Sequence, residues 1–270
     1  MRNWKFYKFS PSGNTTLLLD VENARLRNKR PLIEAVGADG VPAEQAGYAD
    51  VASCHLEMAG GEFCANASRA MGALMDLRAR RGEEGRNTSR KYRISVSGMS
   101  DYVEIDVEGS CPCWQVSASF NSGQASFETS GHGALVKLPG IAHFLWNVDF
   151  FPPKADLPAL AAKAYEKFSG FSFPAFGVVW HARHKDKFEI LPYVHVRDAN
   201  TAMLESSCGS ASMALALLNH RCGERNEIRV GQPSGDDLIC AVEADDRSVT
   251  LSGVVKLCAS GQLWLNNCEE

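Results

Sequence analysis

Short runs of β-branched and aromatic residues recur along the chain, each bounded by Gly, Ser, Asp or Pro, and they predict a strand-rich fold. Lys5 to Phe9, Thr16 to Val21, His55 to Met58, Arg93 to Val96, Tyr102 to Val107 and Trp114 to Phe120 form a first series. The pattern restarts after Asn121-Ser122-Gly123. Ala134 to Leu138, Ala142 to Val148, Phe176 to Trp180, Phe188 to Val196, Glu227 to Val230, Leu238 to Val242 and Ser248 to Val254 form a second. Helical spacing occurs in three places. Asp156 to Phe168 carries Leu157, Leu160, Ala161, Ala164 and Phe168 on one face. Cys64 to Arg78 carries Ala67, Ala70, Met71 and Leu74, and Cys208 to Asn219 carries Ala211, Ala214, Leu215 and Leu218.

The two series echo each other: strands, a cysteine at a helix start, then strands again. This predicts an α+β fold of two similar halves, 1–123 and 124–259. A last strand near Leu263 to Asn266 returns to the first half, which 260–270 would complete.

The 270 residues are 45% hydrophobic and 22% charged, an ordinary globular balance. A net charge of -4 offers nothing to nucleic acid or an anionic membrane. The basic runs Arg78 to Arg81 and Arg225 to Arg229 read as solvated faces. Met1 to Phe9 has no apolar run of the signal-peptide kind. No stretch approaches the roughly 20 apolar residues that span a bilayer. The expectation is a soluble cytoplasmic protein.

Nine cysteines stand at 54, 64, 111, 113, 208, 222, 240, 258 and 268. The odd count argues against a disulfide framework. Cys111-Pro112-Cys113 is a poor zinc half-site, so no metal is expected. Most cysteines should be small buried hydrophobes.

Two of them differ. Gly60-Gly61-Glu62-Phe63-Cys64-Ala65-Asn66-Ala67 and Glu205-Ser206-Ser207-Cys208-Gly209-Ser210-Ala211 both set a cysteine before small residues that open a helix. A helix start has free N–H groups and a partial positive charge. It should lower the thiol pKa from about 8.5 toward neutrality. The N–H groups of Ala65, Asn66, Gly209 and Ser210 could hold a carboxylate. A thiolate on one face of an α-carbon and a thiol on the other could move the α-proton in both directions without a cofactor. A buried core cysteine is the plainer reading of either motif alone; the pair weakens it. Asn14 and Asn66 could bond the substrate amine or carboxylate, or simply cap turns. Glu205 could orient the turn before Cys208, orient the substrate amine, or help cap the helix. The histidines, including His55, His132, His181, His184 and His195, and Arg69 read as structural or surface residues.

The paired motifs Cys64-Ala65-Asn66-Ala67 and Cys208-Gly209-Ser210-Ala211 resemble those of the diaminopimelate epimerase superfamily. Ser12-Gly13-Asn14 and the late turn Gln232-Pro233-Ser234-Gly235 fit the same resemblance, which spans nearly the whole chain. It implies pseudo-symmetric domains, each a mostly antiparallel sheet or barrel wrapped around a central helix. It also implies catalysis by Cys64 and Cys208 without pyridoxal phosphate or any other cofactor, on a small amino-acid substrate, with Asn14 in the binding site. A homodimer is common among such relatives. Within the superfamily, Ser10 to Asn14, Glu44 to Tyr48, Glu62-Phe63-Cys64 and Glu205 to Cys208 are most similar to the histidine racemases of staphylopine-type opine metallophore biosynthesis. That likeness implies racemisation of histidine, with Glu44 on a gating loop that touches the substrate.

Diaminopimelate epimerases grip a second amino-acid head with an Asn-Pro-His turn and a Glu-Arg-Gly segment. Here the matching stretches are Phe176 to Trp180 and Thr201 to Leu204, with no Arg or Asn for a distal carboxylate. An unpaired charge in a closed site is costly, so diaminopimelate is disfavoured. Proline or hydroxyproline epimerisation and a non-catalytic ligand-binding role are the remaining alternatives.

Overall fold

The computed structural model describes residues 2–24, 28–37, 40–80, 89–131, 133–245 and 247–265. Arg81, His132 and the expected strand end at Asn266 lie outside them.

The first half holds β1 (Arg2–Pro11), β2 (Thr16–Asp20), α1 (Arg30–Ala35), β3 (Gln45–Asp50), β4 (His55–Met58), α2 (Ala65–Ala79), β5 (Arg90–Val96), β6 (Val103–Ser110) and β7 (Cys113–Asn121). Then come β8 (Ser126–Ser130), β9 (Gly133–Leu138), β10 (Ile141–Asn147), α3 (Leu157–Lys167), β11 (Ala175–His184), β12 (Lys187–Val196) and β13 (Thr201–Leu204). The chain ends on α4 (Gly209–Arg221), β14 (Glu227–Gly231), β15 (Asp237–Val242) and β16 (Ser248–Leu265). The fold is α+β, as the pattern predicts.

All the strands belong to one hydrogen-bonded sheet, and β16 organises it. It pairs with β7 through Ser248–Lys256 and with β1 through Val255–Leu265. The ring β1 to β7 plus β16 is thereby a closed barrel around α2. From β16 the sheet continues through β15, β14, β12, β11, β10, β9 and β8, with β13 added on β12. Helix α4 packs against β9, β10, β14, β15 and β16.

Parallel crossovers recur along the chain. β2 and β3 are parallel neighbours bridged by α1, as β10 and β11 are by α3. β4 and β5 are parallel neighbours bridged by α2, as β12 and β14 are by the segment holding α4. A parallel pair needs such a crossover, and that is what brings α2 and α4 inward.

The local sequences follow from these layers. Leu18 faces the core around α2, while Leu17 and Leu19 pack with Trp4, Tyr48 and Leu32 under α1. With both faces covered, β2 is apolar throughout. In β11, Val179 enters the shared core, while Phe176, Val178 and Trp180 meet Leu157, Ala161 and Ala164 of α3. β7 has one wet face, so Trp114, Val116, Ala118 and Phe120 alternate with more exposed residues.

Helix α2 is buried on every side from Ala65 to Asp76. Bulk is limited there: a Cβ on Gly72 would lie 2.4 Å from Ile105. The helix is tied at its far end by Asp76. Its Oδ2 accepts from Trp114 Nε1 at 2.9 Å and Arg80 Nε at 2.7 Å.

Several elements escape the sequence pattern. β3 reads Gln-Ala-Gly-Tyr-Ala-Asp, and its Ala, Gly and Asp have low strand preference. It forms because β2 and β4 pair with it from either side. The short elements α1, β8 and β13 likewise draw on neighbours. β16 is one strand rather than two; its polar stretch Ala259 to Gln262 interrupts the hydrophobic alternation while pairing with β1. The burial of the cysteines also differs from expectation: of those described, all free, Cys111, Cys113, Cys222 and Cys258 are exposed. Among the described residues no helix is long and apolar enough to cross a membrane.

Asp76→Ala strands the buried Trp114 N–H and removes the buried carboxylate that Arg80 and Tyr92 also bond. It should lower unfolding free energy by about 3–5 kcal/mol in urea titration. A loss under about 1 kcal/mol, the size of an ordinary substitution, would contradict the anchoring role.

Candidate active site

β4 leads into α2 and β13 leads into α4, and each handover places a cysteine at the N-cap. Cys64 has φ −131° and ψ 108°, and Cys208 has φ −125° and ψ 104°. Both cysteines precede the first helical residue instead of occupying the first turn. The Ala67 N–H donates to Cys64 Sγ at 3.3 Å. The two helix starts nearly touch: a Cβ on Gly209 would lie 3.0 Å from the Ala65 Cβ and 2.7 Å from Leu251. Glycine at 209 lets the helix ends converge.

One small cavity lies between them. Cys64, Cys208, Ala65, Asn66, Gly209, Ser210 and Glu205 line it, together with Gln45, Glu62, Phe63, Ile141, Ala175, Val194 and Val196. Its free volume is about 20 Å³, little more than a single water needs. A neighbouring space of about 90 Å³ shares Gln45, Glu62, Val194, Val196 and Glu205, and continues past Glu44, Leu32, Ile33, Val36 and Met203.

A chain of polar contacts joins the two sulfurs. Cys64 Sγ donates to Gln45 Oε1 at 2.6 Å, and Gln45 Nε2 donates to Glu205 Oε1 at 3.0 Å. Beyond Glu205 the chain reaches Cys208, whose thiol burial and the neighbouring carboxylate hold up. Further bonds close the seam between the halves. The Ser206 N–H donates to Glu44 Oε2 at 2.8 Å, Asn66 Nδ2 to the Ser207 carbonyl at 2.9 Å, and Ser234 Oγ to the Ser12 carbonyl at 2.9 Å. Gly13, at φ +92°, makes that last approach feasible, since a Cβ there would lie 2.1 Å from Ser234 Cβ. Gln232 Oε1 accepts from the Cys208 N–H at 2.9 Å and so fixes the second N-cap.

Seven of the nine residues expected at the site therefore share the cysteine cavity. Glu44 lines the adjoining space. Asn14 lines neither; its Nδ2 reaches Glu44 Oε2 at 3.4 Å, and it is fully buried.

Burial reverses the expected thiol ionisation. It pushes Cys64 up, against the Ala67 N–H and with help from the Glu205 and Glu62 carboxylates. It pushes Cys208 well up too, reinforced by Glu205. At this buried site desolvation of a thiolate outweighs the helix end. Burial, with Glu44 and Glu62 nearby, also drives Glu205 up to about 7. Glu62 is raised by burial as well.

Residues outside the expected set contribute. Gln45 is the link between the sulfurs; its sequence clue was only its place beside Glu44. His143 Nε2 pairs with Ser210 Oγ at 2.9 Å, and Ser210 Oγ lies 3.5 Å from Cys208 Sγ. Burial pulls His143 down to about 3, so it is neutral. Its signal was a single histidine inside the apolar run Ile141 to Trp146. Arg69 is fully buried, with Nη2 donating to Asn66 Oδ1 at 2.8 Å and to Ser12 Oγ at 3.3 Å. Burial lowers it only to about 10, so it carries positive charge behind the start of α2.

The site thus combines two thiols, a carboxyl titrating near neutrality and two converging sets of helix-start N–H groups. Among the described residues no three His, Cys, Asp or Glu side chains are grouped to hold a metal.

Known proteins resemble this chain over nearly its whole length. A histidine racemase of Fusobacterium nucleatum subsp. nucleatum is 29% identical, over 96% of this chain and 96% of its own. A histidine racemase of Staphylococcus aureus is 21% identical, over 97% of each. In fold, the chain is similar to a hydroxyproline epimerase from Agrobacterium vitis with bound trans-4-hydroxy-L-proline. The TM-score is 0.68 at 10% identity, over 98% of this chain and 94% of that one. The family profile described as the histidine racemase CntK N-terminal domain matches residues 3–264. The chain belongs to that family and is an isomerase of the amino-acid racemase and epimerase kind.

Proposed function

We propose that this chain racemises free histidine by a two-base mechanism, with Cys64 and Cys208 on opposite faces of the α-carbon. The observation that carries the proposal is that both cysteines, each the N-cap of a buried helix, line one small cavity. The substrate carboxylate sits on the N–H groups of Ala65, Asn66, Gly209 and Ser210. As the α-proton leaves, negative charge builds on that carboxylate as an enediolate. Fixed N–H groups and the buried Arg69 cation stabilise this state more than the ground state.

The raised thiols set the order of events. Both are protonated at rest. The substrate ammonium brings into the cavity a positive charge that favours a thiolate. Cys208 then passes its proton to Glu205, whose carboxyl titrates near 7. The Cys208 thiolate takes the α-proton, and Cys64 delivers its own proton to the opposite face. The product leaves Cys208 as thiol and Cys64 as thiolate, ready for the other enantiomer. Gln45, which receives the Cys64 proton bond and donates to Glu205, couples the two ionisations.

The cavity holds far less than an amino acid, so entry requires the seam at Glu44–Ser206 and Gln45–Glu205 to part. The halves 1–123, with the tail, and 124–259 act as the two jaws, and Asn14 steadies the latch through Glu44. The histidine racemases among its relatives support histidine as substrate, and the motif resemblance supports opine metallophore synthesis as its use. The free, partly exposed cysteines fit a reducing compartment such as the cytoplasm.

A panel of amino acids in deuterium oxide tests the substrate: α-deuterium should enter histidine and not proline, hydroxyproline or diaminopimelate. Exchange into one of the others alone would overturn the assignment. Cys64→Ala and Cys208→Ala should each lower racemisation by on the order of 10²–10⁴-fold with the fold intact by circular dichroism. Undiminished racemisation in both would refute the two-base mechanism.

The Glu205 carboxylate must be ionised to receive the Cys208 proton. Activity should therefore be present above about pH 7 and be lost as pH falls through it. Glu205→Gln should lower kcat/KM and abolish that limb. An unchanged limb in the variant would assign it to another group.

A further inference from the structure

Glu62 has no part in the mechanism above, yet its side chain lies in the most demanding place in the molecule. It is 7% exposed and lines both the cysteine cavity and the adjoining space. Its carboxyl lies against its own loop, where the Gly60 and Glu62 backbone partly offsets the cost of burial. Oε2 has no hydrogen-bond partner. The nearest cation, Lys29, is engaged elsewhere, with Nζ 2.5 Å from Glu57 Oε1. Gly60 leaves the room this oxygen occupies, since a Cβ there would lie 2.6 Å from it.

A buried carboxylate oxygen without a donor is costly and calls for one from the ligand. The walls around it define what else the ligand must be. Leu32, Val36, Val194, Val196 and Met203 make the adjoining space largely apolar. A flat ring with apolar faces and one N–H at its edge fits both requirements.

We propose that Glu62 is the specificity-determining residue for the substrate side chain, accepting a ring N–H such as that of imidazole. This rests on the racemase reading of the site. Burial raises the pKa of this carboxyl, and a ring N–H donated to it would favour the ionised form. Glu205, bonded to Gln45 and beside Cys208, is left to serve the α-carbon end, so the two buried carboxyls divide the ligand between them.

The test compares α-deuterium exchange into histidine with exchange into 2-thienylalanine, a nearly isosteric amino acid without a ring N–H. Wild-type protein should favour histidine by at least about tenfold in kcat/KM, because a site built around a hydrogen bond rejects an analogue lacking it. Glu62→Leu should erase or invert that preference. Glu62→Gln, which keeps shape and an acceptor, should retain part of it and serves if the Leu variant does not fold. An equal loss with both substrates would assign Glu62 to the common α-amino head and overturn the proposal. An unchanged ratio would overturn it as well. Failure of wild-type protein to exchange either amino acid would instead strike the racemase reading itself, and the Glu62 proposal with it.

Discussion

The N–H groups at the starts of α2 and α4 have no carbonyl partners within their helices, and both sets open onto the same small space. That juxtaposition demands an anion or hydrogen-bond acceptors, and the surrounding structure is arranged to maintain it. The barrel of β1 to β7 and β16 encloses α2 so fully that its chief freedom lies at its ends. Asp76 holds one end through Trp114 and Arg80. The other end is held against α4 by Asn66 on the Ser207 carbonyl. β16 runs through both halves, so the two helix starts share one frame.

Desolvation dominates the electrostatics of this space. A helix end stabilises a nearby charge by roughly 0.3–1 kcal/mol, and somewhat more when partly buried. Removing a thiolate from water costs several times that. The consequence is a resting site that favours protonated sulfurs, with the Glu205 carboxyl poised near neutrality. In the proposed mechanism, charge enters with the substrate instead of waiting for it. This protects the sulfurs from adventitious oxidation, since the thiol is far less reactive than the thiolate.

Much of this was legible in the chain. The alternation in β6 and β7 and the apolar run in β2 reflect one wet face and none, respectively. The paired cysteine motifs mark the helix starts because only small residues fit where Gly209 meets Ala65. β3 was not legible, because its stability lies in its neighbours and not in its Ala, Gly and Asp residues. The thiol ionisation was misjudged for a similar reason: the helix end is a local feature of sequence, whereas depth of burial is set by strands from both halves. Gln45 and His143 carry their meaning only through contacts with Glu205 and Ser210, which lie 160 and 67 positions away along the chain. Asn14 carries its meaning in the same way, through its bond to Glu44, 30 positions along the chain.

The claim that two separate groups handle the α-proton can be tested by its stereochemical trace. Optical activity would be followed as protonated L-histidine racemises in deuterium oxide. Two sulfurs on opposite faces place solvent deuterium on the product and keep it from the unreacted substrate. The slower return of deuterated product then drives the signal past zero before it decays, and the same overshoot should appear from D-histidine. A smooth decay to zero from both enantiomers, with the original proton retained in the product, would contradict the two-sulfur account.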